Sequence, residues 1–338
     1  MSARGTFRPI FIVGTSRSGT TMMNRVLGGH PMVLGMNELH FFGDLWDPSG
    51  SSRPLSPGDA LLMASVLLAR VRKGVWGGAP DERDVAGAQA CLSDAPGPFT
   101  PGRVFSVVMA REAAAAGAEY VTEQTPRNII YAHRLLKLYP EARIVHMIRD
   151  PRAVLFSQKN RWRQKWLGAG HIPLRNTVRV FVNYHPYTLT RLWEKSVRIG
   201  RSLAGHPGYR AVSFEDLLDD PKKVVGGLCD FLRIPFDERM LDVPQVGSSN
   251  KVHREDVRGI ARDVADGWRG KLPKGDIAVC EMAVAGMMRE LGYEPLFQRP
   301  PLLPALGPLL KLPFHLAGTL VMNPRIVRNY LKSLRDKS

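Results

Sequence analysis

The chain has 338 residues, with 47 Lys and Arg against 31 Asp and Glu, and 44% of it is apolar. That apolar share is ordinary for a globular protein and supplies ample material for a core. The formal charge of +16 calls for anionic partners, but zinc-finger spacing, RNA-binding aromatic motifs and a basic heptad helix are all missing, which argues against nucleic acid.

No stretch before Gln298 reads as a linker, so one domain is expected over residues 1–298, followed by a tail over residues 299–338. Cys91, Cys229 and Cys280 are far apart and form no C-x-x-C pair. This favours a reducing compartment and excludes a structural zinc site. The first eight residues are polar and basic and run straight into a strand, which leaves no room for a signal peptide or a spanning helix.

In chain order, Ile10, Phe11, Ile12 and Val13 form a short apolar run ended by Gly14, as in a parallel strand covered on both faces. The loop Gly14-Thr15-Ser16-Arg17-Ser18-Gly19-Thr20-Thr21 then opens a helix over residues 20–28. Its glycines, hydroxyls and helix N-terminus form an anion cradle. Residues 32–34 read as a second strand, whose end delivers Glu38 and His40 to the edge where open α/β sheets bind ligands.

Residues 57–72 carry apolar residues at helical spacing behind a proline, whereas residues 73–100, rich in Gly, Pro and charge, read as the least regular stretch. A helix over residues 103–117 leads to a third strand at residues 120–122, which delivers Gln124 and Arg127. Residues 128–139 read as a helix and residues 143–148 as a buried fourth strand ending in Arg149. Pro151 opens a helix expected to carry Ser157 and Arg161. Arg161, Arg163 and Lys165 alternate with Trp162 and Trp166 in a basic aromatic cluster. Residues 174–203 read as one long helical region bent at Pro186. A strand at residues 209–214 and helices at residues 221–232 and 276–291 follow. Residues 248–269 are polar, and are expected to form a flap that brings in Lys271. Strands alternating with helices make an α/β chain with right-handed crossovers, a P-loop-like three-layer fold with a mainly parallel central sheet flanked by helices.

The loop departs from a nucleoside triphosphatase. A P-loop carries G-x-x-x-x-G-K-[ST], and here the glycine spacing holds but Thr20 stands in place of the lysine. Arg149, not a metal-binding carboxylate, ends the fourth strand, and its planar fork suits a bare phosphate. A metal-using P-loop-type kinase is thereby disfavoured.

These segments together resemble the sulfotransferases that use 3′-phosphoadenosine 5′-phosphosulfate (PAPS), and within them the tyrosylprotein sulfotransferases and their bacterial relatives. Arg17, Ser18, Gly19, Thr20 and Thr21 resemble the family's 5′-phosphosulfate loop. Arg149 to Ser157 resembles its 3′-phosphate motif, in which the first Arg and the last Ser hold the phosphate. Ser213 to Leu217 with Asp220-Pro221, and Trp268 to Pro273 with Leu291 to Pro295, resemble its later segments, where Lys271 matches a lysine that reaches the cofactor.

The resemblance implies transfer of the sulfuryl group of PAPS to an acceptor hydroxyl on a tyrosine, sugar, lipid or phenol, giving a sulfate ester and PAP without a metal. Glu38 matches the family's general base, with His40 in reserve and Arg17 beside the transferred group. Gln124 replaces the lysine of the Lys-Thr-Pro that many relatives carry, removing a charge that would stabilise the transition state. A non-catalytic protein binding PAP-type nucleotides is the alternative. Lacking the N-terminal anchor of the eukaryotic relatives, the chain is expected in a bacterial cytoplasm.

The tail lies beyond the resemblance. Residues 302–322 are mostly apolar, with prolines at 304, 308 and 313 expected to interrupt any spanning helix, and Arg325, Arg328, Lys332, Arg335 and Lys337 follow. Two placements are open for it: peripheral insertion into an anionic membrane surface, or packing across the domain or onto a second copy in a homodimer.

Overall fold

The computed structural model describes residues 7–47, 53–75, 77–163, 166–167, 170–171, 174–244, 258–260 and 265–323. Its seven strands are β1 (Arg8–Gly14), β2 (Val33–Gly35), β3 (Tyr120–Glu123), β4 (Arg143–Ile148), β5 (Trp166–Leu167), β6 (Gly170–His171) and β7 (Tyr209–Ser213). Five form a sheet in the order β2-β3-β1-β4-β7, parallel at every pairing. Parallel neighbours need crossovers, and the helices between them supply these on both faces.

The helices are α1 (Thr20–Gly28), α2 (Pro57–Lys73), α3 (Glu82–Ser93), α4 (Pro101–Ala115), α5 (Ala132–Leu138), α6 (Pro151–Lys159), α7 (Leu174–Val182), α8 (Pro186–Ser202), α9 (Phe214–Asp219), α10 (Pro221–Leu232), α11 (Lys274–Glu290) and α12 (Leu302–Met322). Proline occupies the first turn of α2, α4, α6, α8 and α10, where its missing N–H costs no helical bond.

The central strand shows why the sheet needs three layers. Ile10 and Ile12 point into a core with Met23, Val26 and Leu27 of α1 and Leu228 of α10. Phe11 and Val13 point the other way, into an aromatic core with Phe41, Phe42 and Phe105, where α2, α3 and α4 pack. Each fully buried side chain of this size contributes roughly 1.5–3 kcal/mol, so a face left bare would lose most of that core's stabilisation. A third core joins α6, α8 and α11 around Trp193, Val284 and Met288.

Several expectations are corrected. Residues 73–100 are not irregular throughout, since α3 lies inside them, started by a reciprocal capping box between Asp81 and Asp84. The helix expected from residue 128 begins as a 3₁₀ turn over Pro126–Tyr131. α6 stops at Lys159, leaving Arg161 in the following 3₁₀ turn, Arg161–Arg163. Residues 174–203 are two helices, because His185 caps α8 by accepting from the Tyr187 N–H (3.2 Å), so that Pro186 starts a helix where a bend was expected.

The short antiparallel pair β5–β6 had no sequence signal. α12 runs unbroken through Pro308 and Pro313. Most of the expected flap, the Lys165 end of the basic cluster and the basic residues after Asn323 lie outside the described residues.

Candidate active site

The loop between β1 and α1 can be this tight only because of its glycines. A Cβ on Gly14 would stand 2.5 Å from the Met147 carbonyl oxygen, and one on Gly19 2.3 Å from the Phe214 ring. Gly19 takes φ +97°, open to glycine without strain. The turn is closed by the Ser18 N–H donating to the Thr15 carbonyl (3.0 Å). No acidic residue occupies the first turn of α1, so its N–H groups and dipole face this loop uncompensated. The Ser18 Oγ is buried and has no hydrogen-bond partner in the protein, an arrangement that suits a missing acceptor.

Cations converge on the same loop. The Arg17 Nε donates to the Ser157 Oγ (2.9 Å), the Arg149 Nη1 donates to the Arg17 carbonyl (3.1 Å), and the Gln158 side chain donates to the Ser16 carbonyl (3.1 Å). Arg149 lies over the Phe214 ring at 4.3 Å, and its own carbonyl accepts from the Trp193 indole (2.9 Å). Burial pushes the Arg17 guanidinium down to about 10, with the like charges of Arg161 and Arg149 adding to the shift and Glu38 opposing it. Arg149 is shifted downward by burial as well, against the opposing charges of Glu215 and Asp150. Two crowded guanidinium groups at a helix N-terminus gain from any anion placed between them.

Glu38 reaches this site from the segment after β2. Its Oε2 is 2.7 Å from the His40 Nε2, and its charge is felt at Arg17. His40 adopts φ +47°. The strained backbone is held from three sides: the His40 N–H donates to the Thr125 Oγ (3.1 Å), the Leu39 N–H to Glu123 (3.2 Å), and Arg70 donates to the carbonyls of Leu39 (2.6 Å) and His40 (3.0 Å).

Glu123, at the end of β3, was not singled out by sequence reasoning. It is buried and accepts from the Leu39 N–H, the Thr125 N–H and hydroxyl, and the Asn128 amide (2.6 Å). Burial pushes its carboxyl upward while those donors oppose the shift. An acidic residue closing an apolar strand was its available signal.

The other predicted residues separate. Thr20 is buried at the start of α1 and Thr21 beside it is exposed. Gln124 is buried, with its Oε1 making no hydrogen bond to protein. Arg127 turns to the surface, pairing with Asp44 and donating to the Phe42 carbonyl. Lys271 is exposed, in a turn where its N–H donates to the Trp268 carbonyl (3.1 Å), and among the described residues no hydrogen bond joins it to the cradle. That turn is anchored through Trp268, stacked at 4.3 Å under Arg152, which is itself buried between Asp150 (2.7 Å) and Glu281 (2.8 Å).

The sulfotransferase family profile matches residues 9–238, more than half of the chain and all of the cradle. The chain belongs to the sulfotransferase family. This sulfotransferase is 24% identical to carbohydrate sulfotransferase 6 of Homo sapiens over 326 aligned positions, covering 85% of this chain and 81% of that one. It is also 24% identical to protein-tyrosine sulfotransferase 2 of Gallus gallus over 305 positions, covering 86% and 71%. Among solved structures, the sulfotransferase domain from the curacin biosynthetic pathway aligns with a TM-score of 0.52 at 20% identity, covering 86% of this chain and 99% of that domain, a likeness of fold. The sulfotransferase moves a sulfuryl group to an acceptor, and its sheet order and flanking helices are those of the P-loop-like three-layer fold.

Proposed function

We propose that this sulfotransferase draws its sulfuryl group from PAPS and delivers it to an acceptor hydroxyl, with residues 1–298 as the catalytic domain and residues 299–338 as an appendage. The observation that carries this reading is the set of contacts around the α1 N-terminus, where the orphaned Ser18 Oγ, Arg17 and the Arg17–Ser157 bond meet Arg149. Arg17, Ser18, Gly19, Thr20 and Thr21 would hold the 5′-phosphosulfate, and Arg149 and Ser157 the 3′-phosphate. Lys271, on an anchored turn, is available to close over the same nucleotide. The donor supplies a sulfuryl group on a phosphate leaving group.

The chain's own residues do the rest. Glu38 accepts the proton of the acceptor hydroxyl, and His40, 2.7 Å away, orients that carboxylate. Arg17 and the α1 N–H groups stabilise negative charge on the departing phosphate. Gln124 contributes a neutral amide where many relatives carry a lysine, so Arg17 bears more of the electrostatic load. The names of the relatives point to a sugar or tyrosine hydroxyl as acceptor. A cytoplasmic location, at or near a membrane, fits the reading.

The test is transfer of label from sulfur-labelled PAPS to a panel of tyrosyl peptides, oligosaccharides and glycolipids, with PAP release followed in parallel. Labelled product from one acceptor class with matching PAP release supports the proposal. Binding of PAP without turnover on any acceptor or cell extract would favour a non-catalytic nucleotide-binding protein.

A further inference from the structure

We propose that the joined outer faces of α7 and α12 form a docking surface for an anionic lipid bilayer, on which the enzyme lies flat. α12 has 21 residues, about 31 Å at 1.5 Å per residue, and is the one described helix long and apolar enough to cross a membrane. It does not stand free to do so. One side is bonded to the domain: the Pro308 carbonyl accepts from the His185 Nε2 (2.9 Å), Thr188 and His315 are 3.3 Å apart, and Asn323 donates to Asn183 (3.0 Å).

The prolines fit this placement. Pro308 has no N–H for the Pro304 carbonyl, and that oxygen lies against Gly275 of α11, where a Cβ would be only 2.3 Å away. The freed carbonyl is therefore turned to protein and kept out of hydrocarbon.

The opposite side is apolar and bare. Leu303 and Phe314 are each 80% exposed, Leu310 71% and Val321 77%, at spacings that align them along one stripe. α7 extends it with Leu174, Val178 and Phe181, at i, i+4 and i+7, and is joined to α12 where Val182 meets Gly318. Phe181 packs edge-on against the exposed Trp162 at 5.7 Å, an aromatic pair suited to the headgroup level. Trp162 follows Arg161, whose charge acts on Arg17, so the face runs up to the rim of the active site.

Charge selects the occupant. Neither α7 nor α12 contains an Asp or Glu, whereas α7 carries Arg175 and Arg179, α12 carries Lys311, and Arg325, Arg328, Lys332 and Arg335 follow α12 in the sequence. A second copy of this chain would bring the same positive charge to the contact and be repelled. An anionic membrane matches both the apolar stripe and the positive charge of these segments, a Lys or Arg close to such a surface contributing about 1 kcal/mol.

The test is co-sedimentation of the full chain with phosphatidylcholine vesicles containing or lacking phosphatidylglycerol, beside the double variant Leu310→Ser/Phe314→Ser. Both residues are on the bare side, so near-unchanged circular dichroism and melting are expected. The expected result is binding to the anionic vesicles, weaker at high salt, and reduced at least tenfold in the double variant. Binding that disappears in salt but is equal in both proteins would assign it to bulk charge and overturn the proposal. Failure to bind vesicles, with a concentration-dependent dimer that the double variant abolishes, would also overturn it and give the face to a second copy.

Discussion

Arg17 and Ser157 are 140 positions apart, yet the Arg17 Nε donates to the Ser157 Oγ over 2.9 Å. The sheet order makes this possible. β1 and β4 are parallel neighbours, with Gly14 opposite Met147, so the loop after one and the helix after the other emerge at the same edge. The two anionic ends of a PAP-type nucleotide would therefore be gripped by elements already bonded to each other, which limits the ordering cost of binding.

The first consequence concerns Arg149. Its truncation to Ala removes a charge-assisted donor of about 1.5–3 kcal/mol, so PAP should bind roughly 10- to 100-fold more weakly. Adenosine 5′-phosphosulfate, which lacks the 3′-phosphate, should be far less affected. Calorimetry with both ligands in EDTA separates the cases, and an equal loss for the two would remove Arg149 from the 3′-phosphate.

Glu38→Gln should lower kcat by roughly 10²- to 10⁴-fold, the share of general-base catalysis, with PAP affinity nearly unchanged. His40→Asn should cost less, since it leaves the carboxylate in place. If the Glu38 variant remains active while His40→Asn is dead, the base is His40.

Gln124→Lys restores a positive charge at a buried position whose present Oε1 has no partner. Turnover should rise if that missing charge limits the rate. The buried ammonium should also lower the melting temperature of the free protein, and PAP should recover it. A variant whose melting temperature falls with no recovery by PAP would show that position 124 does not face the bound anion.

His146 sets a pH dependence. Its ring is buried between the hydroxyls of Tyr209 (2.8 Å) and Ser196 (2.9 Å), and burial depresses it from 6.5 to about 3. Below 6.5 the unfolded chain takes up a proton that the folded one refuses. Stability should therefore fall between about pH 6.5 and pH 3, by at most about 1.4 kcal/mol per pH unit from this group. Urea unfolding from pH 7 to 4 should show a shallower slope for His146→Gln; parallel slopes would contradict it.

The strands of the five-stranded sheet and most of the helices were legible in the sequence, because those strands are short, mainly apolar runs and Pro151 and Pro221 mark first turns, whereas Pro186 read as a bend and α3 and the β5–β6 pair went unread. The tight loop between β1 and α1 was legible for the same reason, since a loop between consecutive elements folds on its own neighbours. Glu38 and Arg149 were singled out as site candidates by their strand-end positions, a rule of parallel sheets. What the sequence could not show is which distant groups meet.

Glu123 reads as one more charge until β3 stands next to β2 and β1, when it becomes the acceptor that holds Leu39, Thr125 and Asn128. Arg127 and Gln124 are three residues apart, and only packing sends the first to Asp44 at the surface and leaves the second buried. α12 runs through two prolines that local rules count as breaks, because it is packed along α11, where the Pro304 carbonyl lies against Gly275, and is held to the domain by the bond from His185 to the Pro308 carbonyl. Local propensity is decided within a few residues, whereas burial and partners are decided by elements brought together across the sheet.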